Sequence, residues 1–340
     1  MKNRKKFRER LNKIFGLIII FLIISYFIPT PYMVTSPGIA QELSPIITVT
    51  DGYKGSSSGD FMLTAVGSKR ATLFDFIRIA ILNPEGHEIS PMQQQIPEGM
   101  EMDEYIKIMS ALMEESKIKS QAVALEKAGY DIDFQETGKG AEIVQVIEGG
   151  TAEGKLQSGD IITAVNGKKV ELASDAVNLI RERKIGETVK LTIKRDKEEK
   201  NISLETIEME GNPDTASIGV IIITKNLSYN FPREIIFHTE NVVGPSAGGV
   251  FTLEIYDQLI EEDLTKGKKV AGTGTISLDG SIGMIDGILQ KIIAADKAGA
   301  DLFLVPSGNY EKAKETTRDI KLVKVEDIDD AINYLKNKLE

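Results

Sequence analysis

Gly244-Pro-Ser-Ala-Gly-Gly-Val-Phe-Thr-Leu-Glu-Ile-Tyr256 is the stretch on which the fold of the last third of the chain turns. Gly244 permits a sharp turn, and Pro245 fits the first helical position because the N–H it lacks would be unpaired there anyway. The stretch predicts a helix from Pro245 to about Ile260 with Ser246 at its mouth. Unpaired N–H groups and the positive end of the helix dipole gather there and favour an oxyanion beside the serine. A capping serine is the plain alternative, but caps precede the proline rather than follow it. Ala247, Gly248 and Gly249 are small and leave room for a substrate backbone.

Working outward, Asp279-Gly280 forms a hairpin turn between two short strands. Asp286-Gly287 then opens a helix that Gly299 closes. On it, Lys291 has Gly287 and Ile288 one turn before and Ala294 and Ala295 one turn after. A lysine among such neighbours loses hydration, its pKa falls, and its neutral amine can act as a general base at about pH 7 to 8. The alternative is a lysine whose stem covers apolar surface while its ammonium reaches water.

Gly244-Pro-Ser-Ala-Gly248 resembles the nucleophile motif of Lon proteases. Thr273-Gly274 through Lys291 resembles the strand, hairpin and helix that deliver their lysine, and the order and the gap of 45 residues agree. The resemblance implies Ser246 as nucleophile, Lys291 as base and Thr273 as a hydrogen-bonding residue near the lysine, with Gly244, Pro245 and Ala247 as supporting positions. Two departures stand out: Asp286-Gly287 where the family usually has Gly-Gly, and Val243 where cytoplasmic Lon enzymes carry an acidic residue. Glu240 and Asp286 are then the only nearby carboxylates that could assist.

Other chemistries fit less well. A Ser-His-Asp triad would need His87 or His238, the only histidines, and His238 lies in a strand-like run that reads as structural. Ser116-Lys-Ile-Lys119 matches Ser-x-x-Lys but sits in an amphipathic helix without a Lys-Thr-Gly partner. No phosphate-binding Gly-x-x-x-x-Gly-Lys-Ser/Thr loop occurs, so neither ATP nor another cofactor is expected, and substrates must already be flexible. With no cysteine, thiol catalysis, thiolate zinc sites and disulfides are excluded, and no metal is expected.

Upstream, residues 125–207 follow a strand, turn, strand, helix, strand pattern. Asn166-Gly167 supplies the positive φ of a tight hairpin, and Ser158-Gly-Asp-Ile-Ile162 starts a buried strand. The region resembles the PDZ domains of bacterial proteases, in which a peptide adds a strand beside the helix. The resemblance implies a groove between the loop Gly129, Tyr130, Asp131 and Ile132 and the helix at Val177 and Ile180, although no clean Gly-Leu-Gly-Phe element stands there. A structural β-rich spacer is the alternative.

A helix reads from about Asp103 to Ala128, with Tyr105, Ile108, Met109, Leu112 and Met113 as its apolar stripe, taken as core, and Gly129 as its cap. Residues 35–100 alternate β-like runs, Ile46–Thr50 and Phe61–Val66, with turns such as 55–59, and carry no legible function. Before them, residues 1–13 hold seven cations against Glu9, and an apolar run from Ile14 to Ile28 follows. Fifteen helical residues reach about 22 Å against a hydrocarbon core of roughly 30 Å, so residues to Val34 are needed to complete a span. The bulky, proline-broken exit Tyr26-Phe-Ile-Pro-Thr-Pro-Tyr32 lacks a small-x-small cleavage site, which favours a retained anchor over a cleaved signal. The cations put the N-terminus in the cytoplasm and the body outside.

The net charge of -10 includes this basic tip, leaving about -16 on the rest of the 340-residue chain. So acidic a body repels phosphate backbones and argues against nucleic acid, while the tip suits an anionic membrane. The expectation is therefore an α+β multidomain chain: tip 1–13, transmembrane anchor 14–34, extracellular region 35–124, PDZ domain 125–207 and Lon-type domain 212–340. The layout resembles the PDZ-Lon proteins of Gram-positive bacteria and implies a membrane-anchored, ATP-independent serine endopeptidase acting on extracellular peptides or proteins. A homo-oligomer is compatible with the sequence. The rival reading is a non-catalytic PDZ scaffold whose Lon-like domain only binds.

Overall fold

The computed structural model describes residues 2–53, 59–96, 100, 102–132, 139–147, 149–209, 212–226, 231–238 and 244–339. The expected turn at 55–58, together with Glu240 and Val243, lies outside them.

Helix α1 (Lys2–Tyr26) takes the basic tip and the apolar run in one piece. It stops before Pro29, where β1 (Pro29–Glu42) begins. This corrects the expected span 14–34, since Met33 and Val34 are buried in a sheet and do not extend the helix. The helical apolar run from Ile14 to Tyr26 reaches only about 20 Å, and among the described residues no helix is long and apolar enough to cross a membrane. Most of its large apolar side chains, among them Phe15, Leu17, Ile20 and Phe21, are exposed.

The chain continues through β2 (Ile47–Val49), β3 (Asp60–Thr72), α2 (Leu73–Leu82), β4 (Glu88–Pro91) and the long α3 (Met102–Lys127). Asp103 and Glu104 suit the positive end of α3. At its other end Gly129, at φ 86°, lets its own N–H and that of Tyr130 close the last turn on Glu126 and Leu125.

A second, self-contained module follows, made of β5 (Ala141–Val146), β6 (Ile161–Val165), β7 (Lys168–Lys169), α4 (Ala173–Arg181), β8 (Thr188–Arg195), β9 (Glu198–Glu205), the hairpin of β10 (Ile207–Met209) and β11 (Asn212–Ser217), and β12 (Val220–Thr224). Its main sheet runs β12-β5-β6-β8-β9. Alternate residues Leu191 and Ile193 bury on one face with Ile143 and Ile162 to form its own core. Asp160, in the Gly-Asp turn before β6, is buried and clasped by Arg195 at 2.7 and 2.6 Å. β12 lies beyond the expected boundary at 207 but is an integral strand of this sheet. The module enters and leaves at one point, where Lys139 and Gly140 exchange backbone bonds with Lys225.

The body is completed by β13 (Ile235–Phe237), α5 (Gly248–Leu259), β14 (Lys269–Gly272), β15 (Thr275–Ile276), β16 (Ile282–Gly283), α6 (Ile288–Lys297), β17 (Leu302–Pro306), α7 (Tyr310–Ala313), β18 (Lys321–Val325) and α8 (Ile328–Lys338). Its sheet runs β18-β17-β14-β3-β1-β4, so residues 29–91 supply half of it. β14 pairs in parallel with both β17 and β3, and such a strand must be covered on both edges and both faces. Phe251 of α5 and Leu125 of α3 fill one face, and Ile292 of α6 with Phe303 fills the other. The expected separate region 35–124 thus shares one body with residues 231–339, and the PDZ-like module is an insertion into that body.

Candidate active site

The turn that carries Ser246 begins at Gly244, whose φ of 95° few other residues tolerate. Pro245–Ala247 form a 3-10 turn and α5 starts only at Gly248, three residues later than the sequence predicts. Ser246 therefore sits on a tight turn that opens onto the helix mouth. Gly248 packs so closely that a Cβ there would lie 2.6 Å from Ile276 Cγ2 and 2.7 Å from Ser116 Oγ.

Lys291, on α6 and 2% exposed, donates from Nζ to Ser246 Oγ at 2.8 Å and to Thr273 Oγ1 at 2.9 Å. Thr273 Oγ1 in turn donates to the Ser246 carbonyl at 2.9 Å, while Gly274 N–H donates to the same oxygen at 2.8 Å. Burial pushes the Lys291 ammonium down to about 8, with the Asp286 carboxylate pulling the other way. A pKa near 8 would leave much of the amine neutral at that pH, the form able to accept a proton from Ser246 Oγ. Asp286 acts on Lys291 through charge, while the hydrogen bonds that Nζ donates go to Ser246 and Thr273.

The sequence-predicted residues Ser246, Lys291, Thr273, Gly244, Pro245 and Ala247 are brought together. His238 is on the surface, its backbone bonded to Ile46, and it is Lys291 that bonds Ser246 Oγ. Ser116, matched to a Ser-x-x-Lys pattern in the sequence, has a different place. It is buried and donates to the Pro245 carbonyl at 3.1 Å. One turn on, Ser120 donates to the Gly248 carbonyl at 2.9 Å, and two turns back the Met109 carbonyl accepts from Gly244 N–H at 3.1 Å. α3 thus holds the Ser246 turn at three points. The only signal for this in the sequence is two serines four apart on a helix face read as apolar core.

The peptide groove requires correction. Val177 and Ile180 do line a narrow groove of about 90 Å³, but its opposite wall is Ala216, Ser217, Ile218, Val220 and Ile222. Gly129, Tyr130, Asp131 and Ile132 are elsewhere: Gly129 caps α3, Asp131 is exposed, and Tyr130 and Ile132 pack on the core of the catalytic body. Tyr130 also accepts a bond from Arg233 at 3.1 Å. The edge strand of the module is β12, which arrives after β9, so the loop beside the helix is Ser217-Ile218-Gly219-Val220. Gly219, at φ 75°, passes so near Gly150 that a Cβ would lie 2.7 Å from its Cα. Small-apolar-Gly-apolar at 217–220 is the signal that could have been found.

Among the described residues no group of histidines and carboxylates could hold a metal ion. Buried Glu254, with half-buried Asp257 and Asp60, lines a cavity of about 350 Å³ at the far end of α5 from Ser246.

Residues 131–206 match the PDZ domain family, and residues 240–338 match the Lon protease (S16) C-terminal proteolytic domain. Similar curated proteins include the Lon protease of Campylobacter concisus, 39% identical over 102 residues, which are 28% of this chain and 12% of that protein. The Lon protease of Mycoplasma mobile is 31% identical over 140 residues, 37% of this chain and 17% of that protein. The chain thus spans less than a fifth of the length of these relatives. The PDZ domain of an SdrC-like protein from Listeria innocua is 26% identical, with a TM-score of 0.23, over 24% of this chain and 92% of that structure. The chain carries a PDZ domain and, on its C-terminal side, the proteolytic domain of an S16 Lon-type serine peptidase.

Proposed function

We propose that this protein is an ATP-independent serine endopeptidase in which Ser246 is the nucleophile and Lys291 the general base. The observation that carries the reading is the 2.8 Å contact between Ser246 Oγ and a lysine amine that is buried and depressed to about 8. Ser246 Oγ attacks a peptide carbonyl carbon and passes its proton to Lys291 Nζ. As the C–N bond breaks, Lys291 returns that proton to the leaving amine, and it then deprotonates the water that opens the acyl-enzyme. Thr273 keeps Nζ aimed at Oγ, and the mouth of α5 faces the developing oxyanion. A fluorophosphonate probe tests the reading: wild-type protein should label and Ser246→Ala should not. Absence of labelling in active-site-intact, folded protein would favour the non-catalytic scaffold instead.

The PDZ groove between α4 and β12 is proposed to position substrate, since it has no nucleophile and base of its own. The substrates are flexible peptides or protein segments, because the chain contains no phosphate-binding loop to drive unfolding.

We also propose that α1 holds the protein at a membrane, its short apolar run crossing a locally thinned bilayer, with the N-terminus cytoplasmic and the catalytic body outside. The support is the exposed apolar surface of α1 next to seven cations, a combination suited to anionic lipid. Protease added to intact, wall-stripped cells should digest the body. Survival of the body there, with lysed controls digested, would overturn this topology.

A further inference from the structure

α3 turns two faces to two different neighbours. One carries Met109, Ser116 and Ser120 to the nucleophile turn. The other, with Leu112, Glu114, Glu115 and Ile118, looks across a cleft of about 600 Å³ at the end of β12 and the start of α4. Ile222 lines both this cleft and the narrow groove between α4 and β12, so the two adjoin at that residue. At the far end of the narrow part lie Ser217, Ile218 and Arg181.

A strand laid on the outer edge of β12 with its terminus at the 217–220 loop would follow Val220 to Thr224 and emerge against α3. The stretch of α3 that lines the cleft, Ala111 to Lys119, rises about 12 Å, the length of about four extended residues. Leu112, Ile118 and Ile222 are half-buried and offer apolar surface. Glu114 and Glu115 outnumber Lys119 on the lining, and their pairings with Lys117 and Lys119 are helix-surface ion pairs that an incoming cation can replace.

We propose that the α3 cleft is the upstream half of one continuous peptide groove, so that the protein reads about eight residues of an extended C-terminal segment. The terminal four lie between α4 and β12. The four before them favour apolar side chains, with a cation beside Glu114 and Glu115. This rests on the reading of the PDZ groove as a substrate-binding site.

The test is fluorescence anisotropy with the full chain and fluorescein-labelled peptides bearing free carboxylates. One set has four residues and ends in Val, Leu, Ile, Phe or Ala. The second extends each by Leu-Lys-Leu-Lys, and the third by Gly-Ser-Gly-Ser. The Leu/Lys extension should tighten binding about tenfold, about 1.4 kcal/mol, over the tetrapeptide, and the Gly/Ser extension should add little. Ile118→Asp should erase the gain while leaving tetrapeptide affinity unchanged. Glu115→Lys, at a partly exposed position, should reduce it. Equal binding of tetrapeptides and both extensions would overturn the continuous groove while leaving the PDZ reading intact. No binding of any peptide would overturn both.

Discussion

Ser120 Oγ donates to the Gly248 carbonyl at 2.9 Å across 128 residues of sequence, joining the fully buried face of α3 to the first turn of the helix behind the nucleophile. The same hydroxyl bonds the Ser116 carbonyl at 2.8 Å, and Ser116 bonds Pro245. Ser120→Ala removes one buried partner and should lower stability by about 1–2 kcal/mol. If the clamp positions Ser246, kcat should also fall several-fold well below the unfolding temperature, with KM within about twofold and the pH midpoint unmoved. Normal kcat in the folded variant would make the bond structural only.

The dyad has a distinct pH signature. Lys291 must be neutral to accept a proton, and burial lowers it to about 8, so peptide turnover should rise with pH through that value. Asp286→Asn removes the charge that holds the ammonium up, and the midpoint should move to lower pH. Lys291→Arg should be inactive because guanidinium does not give up its proton in this range. Ser246→Ala and Lys291→Ala should each lose at least about 10³-fold, and the double variant should be no worse than either, as for residues acting as a unit. Rate measurements from pH 6 to 10 on the folded variants decide this.

The buried carboxyls on α5 predict an opposite trend in stability. Burial pushes Glu254 up to about 8 from 4.5, with the bond from Gln258 pulling it down, and burial likewise pushes Asp257 up to about 6. A carboxyl with a raised folded-state pKa makes the native state bind the extra proton. Its contribution is therefore full below about pH 4.5 and is lost as pH rises through about 8. Thermal unfolding should show Tm falling between pH 5 and 8. In Glu254→Gln that slope should flatten and Tm at pH 8 should rise by about 4 °C or more. An unchanged slope would mean that Glu254 is ionised in the native protein.

Removing the PDZ module separates substrate positioning from chemistry, provided the cut respects the sheets. Deleting 125–207 takes the buried Leu125 and the core-packed Tyr130 out of the catalytic body and strands β12 without its sheet, so this variant should not fold. Replacing 139–225 by a short linker, where the two ends already lie side by side, should leave labelling by a small serine probe within about threefold. Turnover of a protein substrate should fall far more. Equal loss of both in folded protein would make the module structural.

Short-range sequence signals were sufficient to single out the pair that the structure brings together. Ser246 and Lys291 stand in motifs whose turn glycines, proline and small neighbours prescribe a local backbone, and a lysine flanked by Ile288, Ala294 and Ala295 declares its burial through helical spacing alone. Asn166-Gly167, the cap at Gly129 and helix α3 were legible for the same reason. What escaped was decided by long-range pairing. Strand β3 completes the sheet of a domain more than 200 residues downstream, β12 returns past β9 to become the edge of the PDZ groove, and Ser116 and Ser120 find their acceptors on α5. Periodicity reports which face of an element is apolar, not which partner covers it. Residues 35–124 therefore read as a separate region, and Tyr130 was assigned to a groove it does not line. The local turns belong to the sequence by itself; the partners of β3, β12 and α3 were settled only when parallel strands and apolar faces had to be buried together in three dimensions.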